Sequence, residues 1–277
     1  MGEWRFCGRD AGVLRTAHPE CRERPEQATA AVRQLVLSAV LEGGDSSDIR
    51  RRIEQAARGR VPYDEAQAVV LATWHEAVDQ VVEDGVLTEA EEQRLSGLTH
   101  ALGYETATLP EDVRTKLSMA GALREVMAGR VPVCPFAANG PLLFNFQRSE
   151  QLVWLFSGVR YIEEKTRRQY VGGSSGVSFR VMRGVYYRFG GSRGHVEEHT
   201  AMEPADSGLL AMTTKHIYFG GSRKSFRVPY GKIVSIQPYR EGIAITRDAA
   251  NARPQVFVTG NGWFAYNLAM NLSGMAT

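Results

Sequence analysis

The short phrase Gly-Gly-Ser occurs three times within one stretch, Tyr170 to Lys232, and constrains the fold more than any other feature. Val171-Gly172-Gly173-Ser174-Ser175-Gly176, Phe189-Gly190-Gly191-Ser192-Arg193-Gly194 and Phe219-Gly220-Gly221-Ser222-Arg223-Lys224 each follow an apolar or aromatic run and precede another. Glycine reaches positive φ without steric conflict, so each phrase reads as a turn between antiparallel strands. The turns and their flanks carry Arg180, Arg183, Arg188, Arg193, Arg223, Lys224, Arg227 and Lys232. A β domain with a basic edge is expected, which points to binding more than to catalysis.

The chain of 277 residues is 43% hydrophobic and is long enough for two ordinary domains. Its net charge of +2 conceals an asymmetry. Residues 1–130 hold 16 Lys+Arg against 22 Asp+Glu, and residues 131–277 hold 17 against 9. An acidic first half and a basic second half imply different partners, or each other. No apolar run approaches the roughly 20 residues that span a bilayer. The segment Met1-Gly2-Glu3-Trp4-Arg5 lacks the apolar core of a signal peptide. Three cysteines make no disulfide framework. The expected location is the cytoplasm.

Residues 1–25 form a polar tail. Within it His18-Pro19-Glu20-Cys21 has the spacing of half a zinc knuckle, and Cys7 stands upstream where a Cys-x-x-Cys partner would be, but the position three before it is Trp4. The segment resembles a zinc ribbon that has lost a ligand. Structural zinc takes four tetrahedral ligands. Cys7, His18 and Cys21 supply three, so a metal there needs a fourth from Cys134 or a second chain. The plainer reading is a tail with two ordinary thiols and no cofactor.

Residues 26–130 read as a bundle of five helices. Val32, Leu35, Val36 and Val40 form the apolar face of the first, which Gly43-Gly44 ends. Asp45-Ser46-Ser47 caps a short second helix, and Pro62, Asp64 and Glu65 suit the start of a third. Thr88 with Glu91 makes a capping box for the fourth, which Gly103 closes, and Pro110 opens the fifth. Between the third and fourth, Val82 to Glu92 fails as a calcium loop, because Val82 would occupy a ligand position. Trp74-His75-Glu76-Ala77-Val78, followed by the acidic-Gly-x-Leu-Thr-x-x-Glu-Glu turn and a leucine-rich helix, resembles the TerB-like helical domains over about residues 62–103. That resemblance implies paired acidic residues able to take a metal. Here Asp79, Glu83 and Asp84 cluster at one helix end without a second set, and read as a solvated acidic face.

Residues 131–149 are a linker rich in Pro and Gly that leads into a first strand at Leu142 to Phe146. From 150 to 277 the period changes to that of strands, with runs at Leu152–Phe156, Val159–Ile162, Val177–Arg183 and Val185–Phe189. A hairpin around Thr214-Lys215 follows, then strands at Phe226–Tyr230, Ile233–Ile236, Ile243–Thr246 and Val256–Val258, and Asn261-Gly262 starts a helix from Trp263 to Leu272. Gly208-Leu209-Leu210-Ala211-Met212-Thr213-Thr214-Lys215-His216-Ile217-Tyr218-Phe219, then Phe226 to Ile233 and Glu241-Gly242-Ile243, resemble the bacterial pleckstrin-homology and GRAM-like domains. The expected class is α+β: a helical bundle followed by an antiparallel barrel or sandwich closed by a C-terminal helix. The resemblance implies a basic rim that meets anionic lipid headgroups.

His195-Val196-Glu197-Glu198-His199 has the string of inverted zinc peptidases. That chemistry needs a helix, and in a strand the two histidines stand roughly 13 Å apart. The phosphate-loop pattern Gly-x-x-x-x-Gly-Lys-Ser/Thr and the dinucleotide pattern Gly-x-Gly-x-x-Gly do not occur. The remaining signal is Lys165, Arg167 and Arg168 before the first phrase, Arg193 in the second, and Arg223 and Lys224 in the third. If the turns gather at one end, these residues form one rim suited to phosphate or carboxylate. The expectation is a non-enzymatic adaptor that binds an anionic headgroup or a protein segment, with peripheral attachment at the inner membrane surface under the headgroup reading. The same face can serve nucleic acid, with Tyr186, Tyr187 and Tyr218 stacking on bases. A metal-dependent enzyme is the third reading, and a solubilising set of loop tips is the plain one.

Overall fold

The structure, a computed structural model, describes residues 19–58, 60–104, 109–133, 144–170, 178–182, 185–188, 196–250 and 252–276. The chain divides into two compact units, Met1–Gly121 and Ala122–Thr277. The first holds α1 (Pro19–Leu41), α2 (Ile49–Ala57), α3 (Tyr63–Val81), α4 (Glu89–Leu102) and most of α5 (Glu111–Met127), within which the boundary falls.

Local chemistry accounts for several helix ends, but α2 begins behind Asp48 with no side-chain cap, which corrects the expected cap from Asp45-Ser46-Ser47. Gly43 and Gly103 adopt positive φ just beyond α1 and α4, the left-handed stop that other residues resist. Thr88 Oγ1 accepts from the Glu91 N–H (3.3 Å), and Glu91 Oε2 accepts from the Thr88 N–H (2.9 Å), completing the expected capping box. α1 starts earlier than the expected Glu26, at Pro19, where the missing N–H breaks no helical bond. The apolar faces converge on one core: Val32, Val36 and Val40 of α1, Ile49 and Ile53 of α2, Val70, Trp74 and Val78 of α3, Leu95 and Leu98 of α4, and Val113 of α5.

The second unit contains β1 (Leu152–Tyr170), β2 (Ser178–Met182), β3 (Val185–Arg188), β4 (Val196–Thr213), β5 (His216–Gly221), β6 (Ser225–Pro229), β7 (Ile233–Tyr239), β8 (Gly242–Arg247), β9 (Gln255–Val258) and α6 (Gly262–Met275). Seven strands form one antiparallel sheet in the order β6-β5-β4-β1-β9-β8-β7, and β2 pairs with β3 separately. The sheet is not closed, which corrects the expected barrel. β6 and β7 are consecutive in sequence yet lie at opposite edges, joined by a 3-10 turn, Tyr230–Lys232, and not by a ladder. The sheet nevertheless bends over on itself: Phe226 of β6 and Phe257 of β9 have three strands between them in order, yet their ring centroids are 6.3 Å apart.

Alternation decides the faces. Trp154, Phe156, Phe219, Ile243, Ile245 and Phe257 are buried on the inner face. α6 adds Phe264, whose ring meets Trp154 at 4.9 Å and Phe156 at 5.9 Å. Asn261 Oδ1 accepts from the Phe264 N–H (3.0 Å) and caps that helix. Two smaller clusters cover outer faces, one built on Ile162, Ala244 and Val256, the other on Phe144, Ala211 and Tyr218.

Two expectations from the apolar runs change. The runs at Leu152–Phe156 and Val159–Ile162 are one strand, with a register shift between Phe156 and Val159 where Gly158 takes φ 65. A bulge reads as a break in sequence because both interrupt alternation. Phe144 to Phe146 is not a strand; its rings pack on Tyr218 at 5.6 and 5.2 Å.

Candidate functional site

β1 and β4 run on together past their neighbours. β9 pairs with β1 only at Arg160 to Glu163, and β5 pairs with β4 only at Gly208 to Met212. Beyond that, Glu164↔Met202 through Tyr170↔Val196 continue as a two-stranded ribbon among the described residues. Seven residue pairs at strand rise extend it by roughly 24 Å. The chain from Lys165 to Arg193 holds seven Lys+Arg and no Asp or Glu. Lys165, Arg167 and Arg168 stand on this ribbon opposite Ala201, His199 and Glu198, and Lys165 is exposed. Arg193 and the first two Gly-Gly-Ser phrases lie outside the described residues.

The third phrase is described in full, and its glycines serve a purpose other than the expected one. Gly220 and Gly221 end β5 without positive φ. They are needed for close approach: a Cβ on Gly221 would come 2.4 Å from Asp206 Oδ2, and one on Gly220 would come 2.7 Å from the Phe144 ring. The turn closes with the Gly221 N–H donating to the Lys224 carbonyl (2.8 Å).

Asp206 fills the inside of that turn. Its carboxylate accepts from the N–H groups of Arg223 (2.7 Å), Lys224 (2.8 Å) and Ser207 (2.9 Å), and from the Ser222 hydroxyl (3.1 Å). Desolvation pushes its pKa up, but those donors outweigh it and hold the group at about 2. The turn is a ready anion cradle, and the chain's own carboxylate occupies it.

Lys224 is likewise engaged. Its Nζ donates to both carboxylate oxygens of Glu163 (2.6 Å each) and lies 5.8 Å from the centre of the Tyr161 ring. Tyr161 donates to Glu163 Oε2 (3.1 Å) and accepts from Gln255 Nε2 (2.8 Å). Burial raises the Tyr161 hydroxyl to about 12, and Lys224 with Tyr161 holds Glu163 below its ordinary range against its own desolvation. Lys165 also acts on Glu163 electrostatically, so the structure gathers Lys165, Arg223 and Lys224 around Glu163 and Asp206 at one end of the sheet. Among these, Lys165 and the Arg223 guanidinium are the exposed cations that make no direct ion pair or hydrogen bond to a carboxylate among the described residues.

A second polar cluster, which the sequence reading missed, stands at the other end of β1. The Glu150 side chain is 0% exposed. It accepts from Tyr218 (2.6 Å), Thr213 (2.8 Å), the Gln147 N–H (2.7 Å) and His216 Nδ1 (2.5 Å). Burial pushes its pKa up, and these four donors bring it down to about 2. The buried Tyr230 hydroxyl has no hydrogen-bond partner among the described residues and is raised by its burial and by Glu150 nearby. A lone Glu in the linker carries no motif, and its donors come from three separate places, so spacing does not reveal the set. The arrangement pins the entry of β1 onto the β4–β5 hairpin.

No group of three or more His, Cys, Asp or Glu able to hold a metal occurs among the described residues. Cys7, His18 and Cys134 lie outside them, and Cys21 stands on α1. Asp79 is paired with Lys116 (2.7 Å), and Asp84 accepts from the Val86 N–H (2.9 Å) in the α3–α4 turn. Positions 196 to 199 of the His-x-x-Glu-His string belong to β4, a strand and not the helix that chemistry requires. No helix among the described residues is long and apolar enough to cross a membrane. Compared with protein-family models, with curated proteins and with solved structures, the chain matches none.

Proposed function

We propose that the chain is a non-enzymatic binding protein whose antiparallel unit meets an anionic membrane surface through the ribbon formed by the outer parts of β1 and β4. The observation that carries this reading is the extended two-stranded arm, whose β1 strand carries Lys165, Arg167 and Arg168 against Glu197 and Glu198 on its β4 strand, together with the chain between the two strands, residues 171–193, which holds four more cations and no acid. A ribbon reaching beyond its sheet presents its charges to a flat partner, and each cation at an anionic surface contributes about 1 kcal/mol. The strand order and the C-terminal helix support reading this unit as pleckstrin-homology-like, and the α3–turn–α4 segment with its capping box supports reading the helical unit as TerB-like. The pairing of an acidic helical unit with a basic one suits an adaptor.

Sedimentation with phosphatidylserine vesicles and with neutral vesicles tests this. The chain is expected in the pellet with the anionic vesicles at low salt and to be released as salt rises. Equal binding to neutral vesicles, or none to either, contradicts the proposal.

One observation favours single-stranded nucleic acid as a second reading. The β2–β3 register sets Arg180 opposite Tyr186 and Phe179 opposite Tyr187, the mix of cation and aromatic that single strands stack upon. An oligonucleotide that strips the chain from vesicles, and whose own binding falls in Tyr186→Ala with Tyr187→Ala, would favour it.

A further inference from the structure

The acidic helical unit has one basic corner. Residues 50–60 hold five arginines and one glutamate, and they make up most of α2 and the turn towards α3. A cleft of about 420 Å³ opens beside them, within the size range of small-molecule sites.

Two walls line it. Arg51 and Glu54 come from α2 at a spacing of three, so they share one side of that helix, and Arg58 is the residue that follows its last turn. Tyr63 and Gln67 come from the first turns of α3. The floor is apolar, with Ile53, Ala57 and Ala66 buried in the core.

Most of the arginines are engaged. Arg51 donates to Asp48 (2.6 Å), Arg52 to the Asp45 carbonyl (3.4 Å) and Arg60 to the Ala56 carbonyl (3.5 Å). The Arg58 side chain has no hydrogen-bond or ionic partner among the described residues, and it is exposed at the cleft wall. Tyr63 is 73% exposed, a large ring left uncovered at the same opening. Gln67 accepts from the Tyr104 hydroxyl (3.3 Å), which fixes the amide on the far wall.

These groups select by chemistry. An apolar floor with an uncovered ring calls for a hydrocarbon or aromatic body. The unpartnered guanidinium calls for an anionic head, which it meets with charge-assisted hydrogen bonds. Glu54 on the same wall opposes a second negative charge. We infer that this cleft is a binding site for a small organic monoanion, a carboxylate on an apolar body, held by Arg58 and covered by Tyr63. The site is independent of the cationic ribbon.

The probe is 8-anilinonaphthalene-1-sulfonate, itself an apolar body with one anionic group, titrated into the full chain and displaced by octanoate, by octanol and by inorganic phosphate. The expected result is saturable probe binding that octanoate reverses and the other two do not. Octanoate affinity should fall about tenfold or more in Arg58→Glu, the loss of one charge-assisted contact, and should also fall in Tyr63→Ala. Both positions are exposed, and unchanged thermal unfolding of the two variants confirms intact folding. Absent probe binding, a probe that octanoate does not displace, or octanoate affinity unchanged in Arg58→Glu overturns the inference.

Discussion

The two ends of β1 use the same device in opposite surroundings. At its start, the Glu150 side chain is wholly buried and ties β1 to the β4–β5 hairpin through three donors, Thr213, His216 and Tyr218. Further along, Glu163 and Asp206 are only partly buried, and they hold the β5–β6 turn through the Lys224 side chain and the backbone N–H groups of Arg223 and Lys224. Burial separates the roles. A buried carboxylate with every donor turned inward is sealed from any ligand, and breaking it leaves stranded polar groups in the core. A half-exposed one faces water, where its ion pair contributes little and neighbouring cations stay accessible.

The largest effect is expected at the buried end. Glu150→Ala removes the shared acceptor of Tyr218, Thr213 and His216 and should lower stability by about 3 kcal/mol, read from thermal or urea unfolding. A loss under 1 kcal/mol, on the order of a surface pair, would erase the contrast between the two ends.

Next is a steric test of the turn. Gly221→Ala places a methyl against Asp206 and should destabilise by about 2 kcal/mol, as forced overpacking does. A neutral outcome in unfolding would mean that the turn accommodates a Cβ there and that close approach to Asp206 does not require glycine.

The acid limb sharpens the comparison. The folded pKa of Glu150 is depressed from 4.5 to about 2, so its contribution is fully present above pH 4.5 and is lost as pH falls towards 2. Glu150→Gln, measured across that window, should show a shallower acid decline than the parent chain. An identical slope would assign the acid sensitivity to other carboxylates, Asp206 among them.

The smallest effect belongs to Lys224. It is 39% exposed on its ion pair with Glu163, and Lys224→Ala should cost about 0.5 kcal/mol, as exposed pairs do. A loss as large as that of Glu150→Ala would make the two ends equivalent.

Sequence reading reached the elements whose signals are local. Thr88 with Glu91, the stops at Gly43 and Gly103, the hairpin at Thr214-Lys215 and the start of α6 at Asn261 all follow from residues within a few positions of one another. It failed where distant residues decide. Gly220 and Gly221 resemble turn glycines, and only the approach of Asp206 and Phe144 reveals their purpose. The bulge at Gly158 mimics a strand boundary, and an open sheet has the same alternation as a closed one. Of the rim, Lys165, Arg223 and Lys224 gather around Glu163 and Asp206, but the carboxylates that engage Lys224 and the turn lie 61 and 18 residues away in sequence. A count of cations does not disclose which are already paired.

The most direct measurement compares two variants in one vesicle assay: Lys165→Glu with Arg167→Glu and Arg168→Glu on the ribbon, against Lys224→Ala in the turn. The account predicts that the ribbon variant loses binding to phosphatidylserine vesicles on the order of a hundredfold or more, while Lys224→Ala binds as the parent chain does. Retained binding by the ribbon variant, or loss in Lys224→Ala alone, would contradict it.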